Sequence, residues 1–266
     1  MIKRTKLPTM ETRAYAETMG ALKKGIDNKY LVALIGPSGS GKSCLLEDFS
    51  KEYTNARFIN CSPGMTMRGL LGDIANVLKT NVSGDIYYAQ KQLTNHLISN
   101  SDQVLLFDEC ENLHRGNVSK IDVIRQIYDG ADISMVLCGT YDLENVLSGA
   151  NKHNQPQIFR RIFRVEQKSA TKEEFTKYLN LLEELFVAHF TPEARNELFA
   201  ICTDMDNGGI GVFTRLLEIV FMFTRNEWEE ICFNYKNGIK NDTSNLTPIT
   251  IDKDILKYSS RFQMRK

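Results

Sequence analysis

The sequence lacks the features of a membrane-bound or exported protein. Its longest uninterrupted apolar runs, such as residues 219–223, are far shorter than the roughly 20 residues that a helix needs to cross a bilayer. The opening residues Met-Ile-Lys-Arg-Thr-Lys have no apolar core of the kind found in a signal peptide. We therefore expect a soluble, cytoplasmic protein without a membrane partner.

Paired cysteines and clustered histidines are also missing. The six cysteines, at positions 44, 61, 110, 138, 202 and 232, occur singly and never as C-x-x-C. This distribution predicts reduced thiols and argues against a disulfide framework. The four histidines are equally isolated, so the pattern does not suggest a structural metal.

Neither sign of charge is in excess. Lysine plus arginine and aspartate plus glutamate each number 33. A balanced charge gives no general support for nucleic-acid binding, although folding can still bring a few cations together. The hydrophobic share of 42% in 266 residues is ample for a packed core, in one large domain or two small ones.

The strongest motif is a glycine-rich loop between an apolar run and an amphipathic segment. Residues 36–43 fit G-x-x-x-x-G-K-[ST], and the apolar run at 30–35 has the pattern of a buried parallel strand. In such a loop, backbone N–H groups surround the β-phosphate and the lysine reaches the β- and γ-phosphates. A chance match is the weaker interpretation, because strand, loop and helix all agree.

This motif predicts a site for ATP and Mg²⁺. The predicted nucleotide contacts are Gly36, Pro37, Ser38, Gly39, Ser40, Gly41, Lys42, Ser43 and Cys44. Among them, Lys42 is predicted to act in catalysis and the Ser43 hydroxyl to ligate the metal ion.

A second apolar run, at 103–107, ends in the acidic pair Asp108-Glu109. At the carboxyl edge of a parallel sheet, Asp108 would complete the metal shell, and Glu109 would orient or deprotonate the attacking water. The structural alternative is a strand that simply ends in solvated acids. A general base fits hydrolysis better than transfer to a bound acceptor, so we expect an ATPase rather than a small-molecule kinase.

The order of apolar runs predicts the fold. Runs at 30–35, 56–60, 103–107, 134–138 and 162–166 alternate with helical patterns, as in a doubly wound parallel sheet.

Beyond residue 169 the pattern is helical, with a capping box at 171–174, a Thr-Pro start at 191–192 and a long apolar helix at 211–233. The predicted domains are an N-terminal helix at 1–28, a nucleotide-binding α/β domain at 29–168 and a helical lid at 169–266.

The order of these motifs resembles that of the AAA+ ATPases over nearly the whole chain. The resemblance implies that Thr140, at the tip of the fourth strand, senses the γ-phosphate, although on its own it could equally be a helix cap. It also implies that an arginine from a neighbouring subunit completes each site. Arg161 is the first candidate and Arg160 the second, and a solvated pair of arginines is the alternative.

Three segments look like those of the transposition ATPases of the TnsC, TniB and MuB type: 108–113, 139–143 and 208–217. This similarity implies an ATP-dependent regulator that assembles as a ring or helical filament on duplex DNA. Its implied partners are a transposase and a target-selector protein. Replication initiators and helicase loaders share most of these motifs and form the alternative. Their lid arginine corresponds loosely to Arg215, which departs by one residue from the usual G-x-x-R spacing.

The same resemblance implies DNA contacts in two loops, one after the second strand and one after the helix that follows it. The residues concerned are Thr66, Arg68, Lys79 and Thr80, whose hydroxyls and cations suit phosphate contact. Ordinary solvated loop residues would look the same. Contacts of this kind predict low sequence specificity and a strong dependence on salt.

Overall fold

The computed structural model describes residues 7–114, 120–148, 162–168, 170–204 and 207–262. The chain groups into two compact units. One contains Glu17–Pro37 and Lys42–Gln167, and the other contains Met1–Ala16, Ser38–Gly41 and Lys168–Lys266. Within the described ranges, no helix is long and apolar enough to cross a membrane.

The first unit is built around a five-stranded sheet in which every pair of neighbours is parallel. The spatial order is β2-β3-β4-β1-β5, which confirms the predicted doubly wound sheet. The strands are β1 (Leu31–Ile35), β2 (Ala56–Asn60), β3 (Val104–Asp108), β4 (Ser134–Gly139) and β5 (Ile162–Glu166). The helices before and between them are α1 (Arg13–Asp27), α2 (Lys42–Glu52), α3 (Met67–Val77), α4 (Ile86–Ser99), α5 (Lys120–Ala131) and α6 (Asp142–Ser148).

The three central strands are buried along their whole length, which explains their continuous apolar sequences. The apolar sides of α3, α4 and α5 pack with these strands into one core. Because the strands are parallel, the carboxyl ends of β1, β3 and β4 meet at the same edge of the sheet. The predicted site residues follow those three ends.

The second unit is mainly helical. Its elements are α7 (Lys172–Phe186), β6 (Ala188–Phe190), α8 (Pro192–Thr203), α9 (Gly209–Thr224), α10 (Trp228–Lys236), β7 (Ile249–Ile251) and α11 (Lys253–Ser260). The predicted capping box is present at the start of α7, where Thr171 and Glu174 exchange hydrogen bonds. Thr191 likewise caps α8, with Pro192 in its first turn.

The amino-terminal segment contributes to the core of this second unit. Leu7 and Met10 are buried among its apolar side chains, and the Tyr178 hydroxyl donates to the Pro8 carbonyl at 2.8 Å. Within the predicted N-terminal helix segment 1–28, the described helix begins at Arg13, where the Thr12 hydroxyl accepts the N–H of Tyr15. Residues 7–12 therefore precede the helix and belong to no helix or strand.

The single helix predicted over 211–233 is wrong, and a buried arginine gives the physical reason. α9 ends at Thr224 because Arg225 adopts extended backbone angles, with φ −142° and ψ 106°. This conformation turns the guanidinium, which is 6% exposed, towards the carbonyls of Phe186, Val187 and Thr247, at 2.7, 3.3 and 2.9 Å.

Two of those carbonyls lie just before β6 and β7, a parallel pair that the sequence analysis did not predict. Each strand has only three residues, which is too short for a period of two to be visible. Arg225 thus joins the end of α7 to the entrances of both short strands.

Replacing Arg225 with alanine should lower the free energy of unfolding by about 3 kcal/mol, because buried carbonyls would lose a charged donor. Denaturant titration followed by tryptophan fluorescence measures this directly, since the only tryptophan, Trp228, is buried in the same unit. Lys177→Ala is the control: Lys177 is exposed and pairs with Glu173 on the helix surface, so its unfolding midpoint should match the parent. Equal midpoints for both variants would contradict the role given to Arg225.

Candidate nucleotide site

The glycine-rich loop joins the buried end of β1 to the first residue of α2, and it carries two left-handed glycines. Gly39 has φ 74° and Gly41 has φ 89°, angles that residues with a side chain rarely adopt. The loop can therefore turn successive N–H groups towards one point, which is the property that a phosphate cradle requires.

Lys42 begins α2 and is 8% exposed. Its ammonium donates to the carbonyls of Gly36 at 2.8 Å and Pro37 at 2.7 Å. Burial lowers the pKa of this ammonium. A buried cation at the positive end of a helix is unfavourable by itself, and a bound anion would relieve both the burial and the dipole.

Acidic groups from the end of β3 and the turn after it act on this lysine. Asp108 and Glu111 each raise the pKa of Lys42 and so oppose the effect of burial. The Cys138 thiol of β4 acts in the same direction as these carboxylates. The structure thus brings the lysine of the loop and the aspartate of the acidic pair into one electrostatic environment.

Asp108 is the last residue of β3 and is 6% exposed. Its carboxylate accepts the N–H of Glu109 at 2.9 Å, which fixes the orientation of the side chain. Carboxylate and hydroxyl oxygens are ligands that Mg²⁺ prefers. The donor types of Asp108 and Ser43 therefore fit the predicted metal site.

Glu109 has φ 56°, in the left-handed region. A residue with a side chain is held there at a cost of about 1–3 kcal/mol, and strain of this kind concentrates at functional sites. This residue directly follows β3 and leads into a short 3₁₀ turn at Cys110–His114. Lys29, Lys79, Asp132 and Val187 have similar angles, so the catalytic role of Glu109 stays a prediction.

Thr140 follows the end of β4, which lies between β1 and β3 in the sheet. Its N–H donates to the carboxylate of Glu111 at 3.3 Å, and its carbonyl accepts the N–H of Leu143 in the first turn of α6. Both hypotheses for Thr140, phosphate sensor and helix start, are compatible with this position.

Glu111 is the site residue that the sequence analysis missed. Gly139 leaves room for it, since a Cβ there would lie 2.6 Å from a carboxylate oxygen of Glu111. The available signal was a third acid in the run Asp-Glu-Cys-Glu at 108–111. Glu111 fixes the backbone of Thr140 and adds negative charge near Lys42.

Other predicted site residues have different surroundings. Arg160 and Arg161 lie outside the described residues. The Cys44 thiol is partly buried and lies 3.8 Å from a carboxylate oxygen of Asp48 on the next turn of α2. Arg215 is about half exposed and its guanidinium contacts the buried carboxylate of Glu218.

The four predicted DNA contacts form two groups at opposite ends of α3. Thr66 caps the helix by accepting the N–H of Gly69 at 3.0 Å, and the Arg68 guanidinium donates to the carbonyl of Gly84. Lys79 and Thr80 follow the other end, and an 11-residue helix separates the groups by about 16 Å. DNA contact by these four residues stays a prediction.

Lys42→Ala should abolish detectable ATP binding, because it removes a buried cation that contacts the loop. Titration with a fluorescent ATP analogue measures the affinity. Lys51→Ala is the matched control, since Lys51 lies on the same helix, is exposed and pairs with Asp48 on its surface. An affinity of Lys42→Ala within tenfold of the Lys51→Ala value would refute the loop assignment.

The fold and the geometry of the site together correspond to the P-loop class, with an AAA-type fold. A parallel sheet presents the loop, the acidic pair and the polar residue after β4 at one edge, and a buried lysine stands at the start of α2. This combination is what the class uses to hold a nucleoside triphosphate.

Comparison with known proteins agrees with this class. Residues 26–147 match the family model described as AAA domain, a range that extends from the end of α1 to α6. No curated protein matches the chain by sequence.

Among solved structures, a Walker-type ATPase of Pyrococcus abyssi is 16% identical, with a TM-score of 0.61 over 88% of this chain and 74% of that chain. The ORC2 protein of Aeropyrum pernix, solved as ADPNP–ADP complexes, is 14% identical, with a TM-score of 0.60 over 98% of this chain and 70% of that chain. At such identities the similarity shows a shared fold.

Proposed function

We propose that this protein hydrolyses ATP with Mg²⁺ and uses the bound nucleotide to control its assembly on duplex DNA. The observation that carries the ATPase proposal is the buried Lys42 at the mouth of the loop, in the same electrostatic environment as Asp108. A buried lysine, a buried aspartate and a strained glutamate have little structural reason to share one sheet edge, whereas a triphosphate site needs all three.

Each residue then has a distinct role. The N–H groups that the loop offers between Gly36 and Cys44, where Pro37 has none, hold the phosphates, and Lys42 neutralises charge on the β- and γ-phosphates. Ser43 and Asp108 would hold Mg²⁺, which when bound supplies further neutralisation of phosphate charge. Thr140 contacts the γ-phosphate. An arginine of a neighbouring copy, Arg161 or else Arg160, stabilises charge in the transition state.

Glu109 orients or deprotonates the attacking water, and this role favours hydrolysis over transfer to a small-molecule acceptor. The position of Glu109 supports the assignment, because it directly follows the buried Asp108 at the carboxyl end of β3.

Glu109→Gln should keep ATP bound and slow hydrolysis at least about a hundredfold, because the amide has nearly the shape of the carboxylate and cannot act as a base. Phosphate release per minute and the affinity for an ATP analogue are measured in parallel. Glu193→Gln serves as the control, since Glu193 is exposed in the first turn of α8. Normal turnover by Glu109→Gln would remove this residue from the mechanism.

For the cellular role, we propose regulation of DNA transposition, in which the ATP-bound protein assembles on duplex DNA, marks a target site and recruits or activates a transposase. Support comes from the three segments that resemble the transposition ATPases, at 108–113, 139–143 and 208–217. The proposed partners are the transposase, a target-selector protein and further copies of this chain in a ring or filament.

A replication initiator or helicase loader is the second candidate. The similarity in fold to the ORC2 protein over nearly all of this chain favours it. The two candidates differ in their protein partner. Recovery of an integrase-fold transposase with the ATP-bound Glu109→Gln variant would support the first, and recovery of a replicative helicase would support the second.

Duplex DNA should bind in the presence of a non-hydrolysable ATP analogue and not with ADP, and the affinity should fall from low to physiological salt. Fluorescence anisotropy of a labelled duplex measures both effects. Lys79→Gly should weaken binding, because it removes a predicted phosphate contact, and glycine readily adopts the φ of 53° found there.

Lys29→Gly is a closely matched control for this experiment. Lys29 is also exposed and has φ 54°, but it pairs with Asp132 and is not predicted to contact DNA. Equal binding by both variants would exclude Lys79 from the DNA surface. Equal binding with ADP and with the ATP analogue would contradict nucleotide control.

A further inference from the structure

The glycine-rich segment 207–211 contacts the phosphate loop through backbone atoms. Both lie in the unit that groups Ser38–Gly41 with Lys168–Lys266. The N–H of Gly211, in the first turn of α9, donates to the carbonyl of Gly39 at 3.0 Å and also to that of Gly208 at 3.1 Å. This contact links a peptide group of the phosphate loop to a helix that begins about 170 residues later in the chain.

The approach is so close that a side chain could not be present. A Cβ built on Gly39 would lie 1.7 Å from the carbonyl oxygen of Gly208 and 2.4 Å from its carbonyl carbon. The φ of 74° at Gly39 independently disfavours any other residue. The two backbones therefore lie directly against each other, without an intervening side chain.

The hydrogen bond fixes the direction of a peptide group that the nucleotide site needs. In a planar trans peptide, the carbonyl of one residue and the N–H of the next point to opposite sides. With the Gly39 carbonyl turned towards Gly211, the N–H of Ser40 points away from Gly211. If this peptide flipped, the loop would present a carbonyl oxygen where it now presents a donor, and a phosphate would be repelled.

We propose that Gly211 is a positioning residue for phosphate binding: its N–H holds the carbonyl of Gly39 and thereby keeps the N–H of Ser40 directed at the β-phosphate. The proposal rests on the nucleotide-binding function proposed above. Gly211 acts through the Gly39–Ser40 peptide and does not itself touch the nucleotide.

Two substitutions at Gly211 distinguish the loss of the N–H from the addition of a side chain. Gly211→Ala keeps the N–H, and its Cβ would lie 3.5 Å from the Cα and 3.7 Å from the carbonyl oxygen of Gly39, which are ordinary contacts. Gly211→Pro replaces the amide hydrogen by a ring carbon, so it removes the donor and also pushes the Gly39 carbonyl away, at a first-turn position where a helix tolerates proline. The dissociation constants of ADP and of an ATP analogue should rise about tenfold in Gly211→Pro and stay within twofold of the parent in Gly211→Ala.

AMP binding is the control for general damage to the protein, because such damage would weaken AMP binding as well. It has no β-phosphate, so its affinity should be the same in the parent and in both variants. Equal ADP affinities for Gly211→Pro and Gly211→Ala would overturn the proposal. A parallel loss of AMP binding in Gly211→Pro would overturn it as well, because the damage would then extend beyond the phosphate.

Hydrogen exchange on the parent protein tests the same bond if the proline variant fails to fold. With glycine-selective ¹⁵N labelling, the Gly211 amide should exchange slowly in the ADP complex, and fast exchange there would contradict the proposal.

The Lys42→Ala variant distinguishes failure of the Gly211 proposal from failure of the proposed nucleotide-binding function. If the parent binds ADP and Lys42→Ala does not, the nucleotide site stands even when both Gly211 variants behave like the parent. If the parent binds no ADP, the proposed function fails, and this inference fails with it.

Discussion

The site depends on one electrostatic constraint, a lysine ammonium buried at the positive end of a helix. Lys42 is held by two carbonyls of its own loop and balanced by carboxylates that follow β3. Such a cation is stable only where negative charge comes close, so the constraint determines what must surround it. The parallel sheet meets this requirement, because it brings the ends of β1, β3 and β4 to one edge.

Several main-chain groups near these charged side chains are also held in fixed orientations. Glu109 is held in a left-handed conformation, Glu111 fixes the amide of Thr140, and Gly39 accepts a hydrogen bond from Gly211. In each case a main-chain group is held in one orientation before any ligand arrives. Preorganisation of this kind is what makes a binding or catalytic site effective, since the ordering is done during folding and not during binding.

The parallel sheet and the phosphate loop could be predicted because their signals are local. An apolar run, a glycine pattern and a helix start within a few residues of one another specify that element directly. The break between α9 and α10 could not, because Arg225 ends the helix by binding carbonyls that lie 22 to 39 residues away. Glu111 and Gly211 were missed as site residues for the same reason, since each acts on a backbone group that only the fold brings close.

The helical unit is discontinuous in sequence, and this affects the order in which the chain can fold. Leu7 and Met10 belong to the same core as Phe186 and Phe221. During synthesis the amino-terminal residues leave the ribosome first, while their packing partners are made some 170 to 210 residues later. The α/β unit can therefore form while synthesis continues, whereas the helical core must wait for its last contributors. Contacts so distant in sequence are formed slowly, so the completion of this core is expected to be a late step in the maturation of the protein.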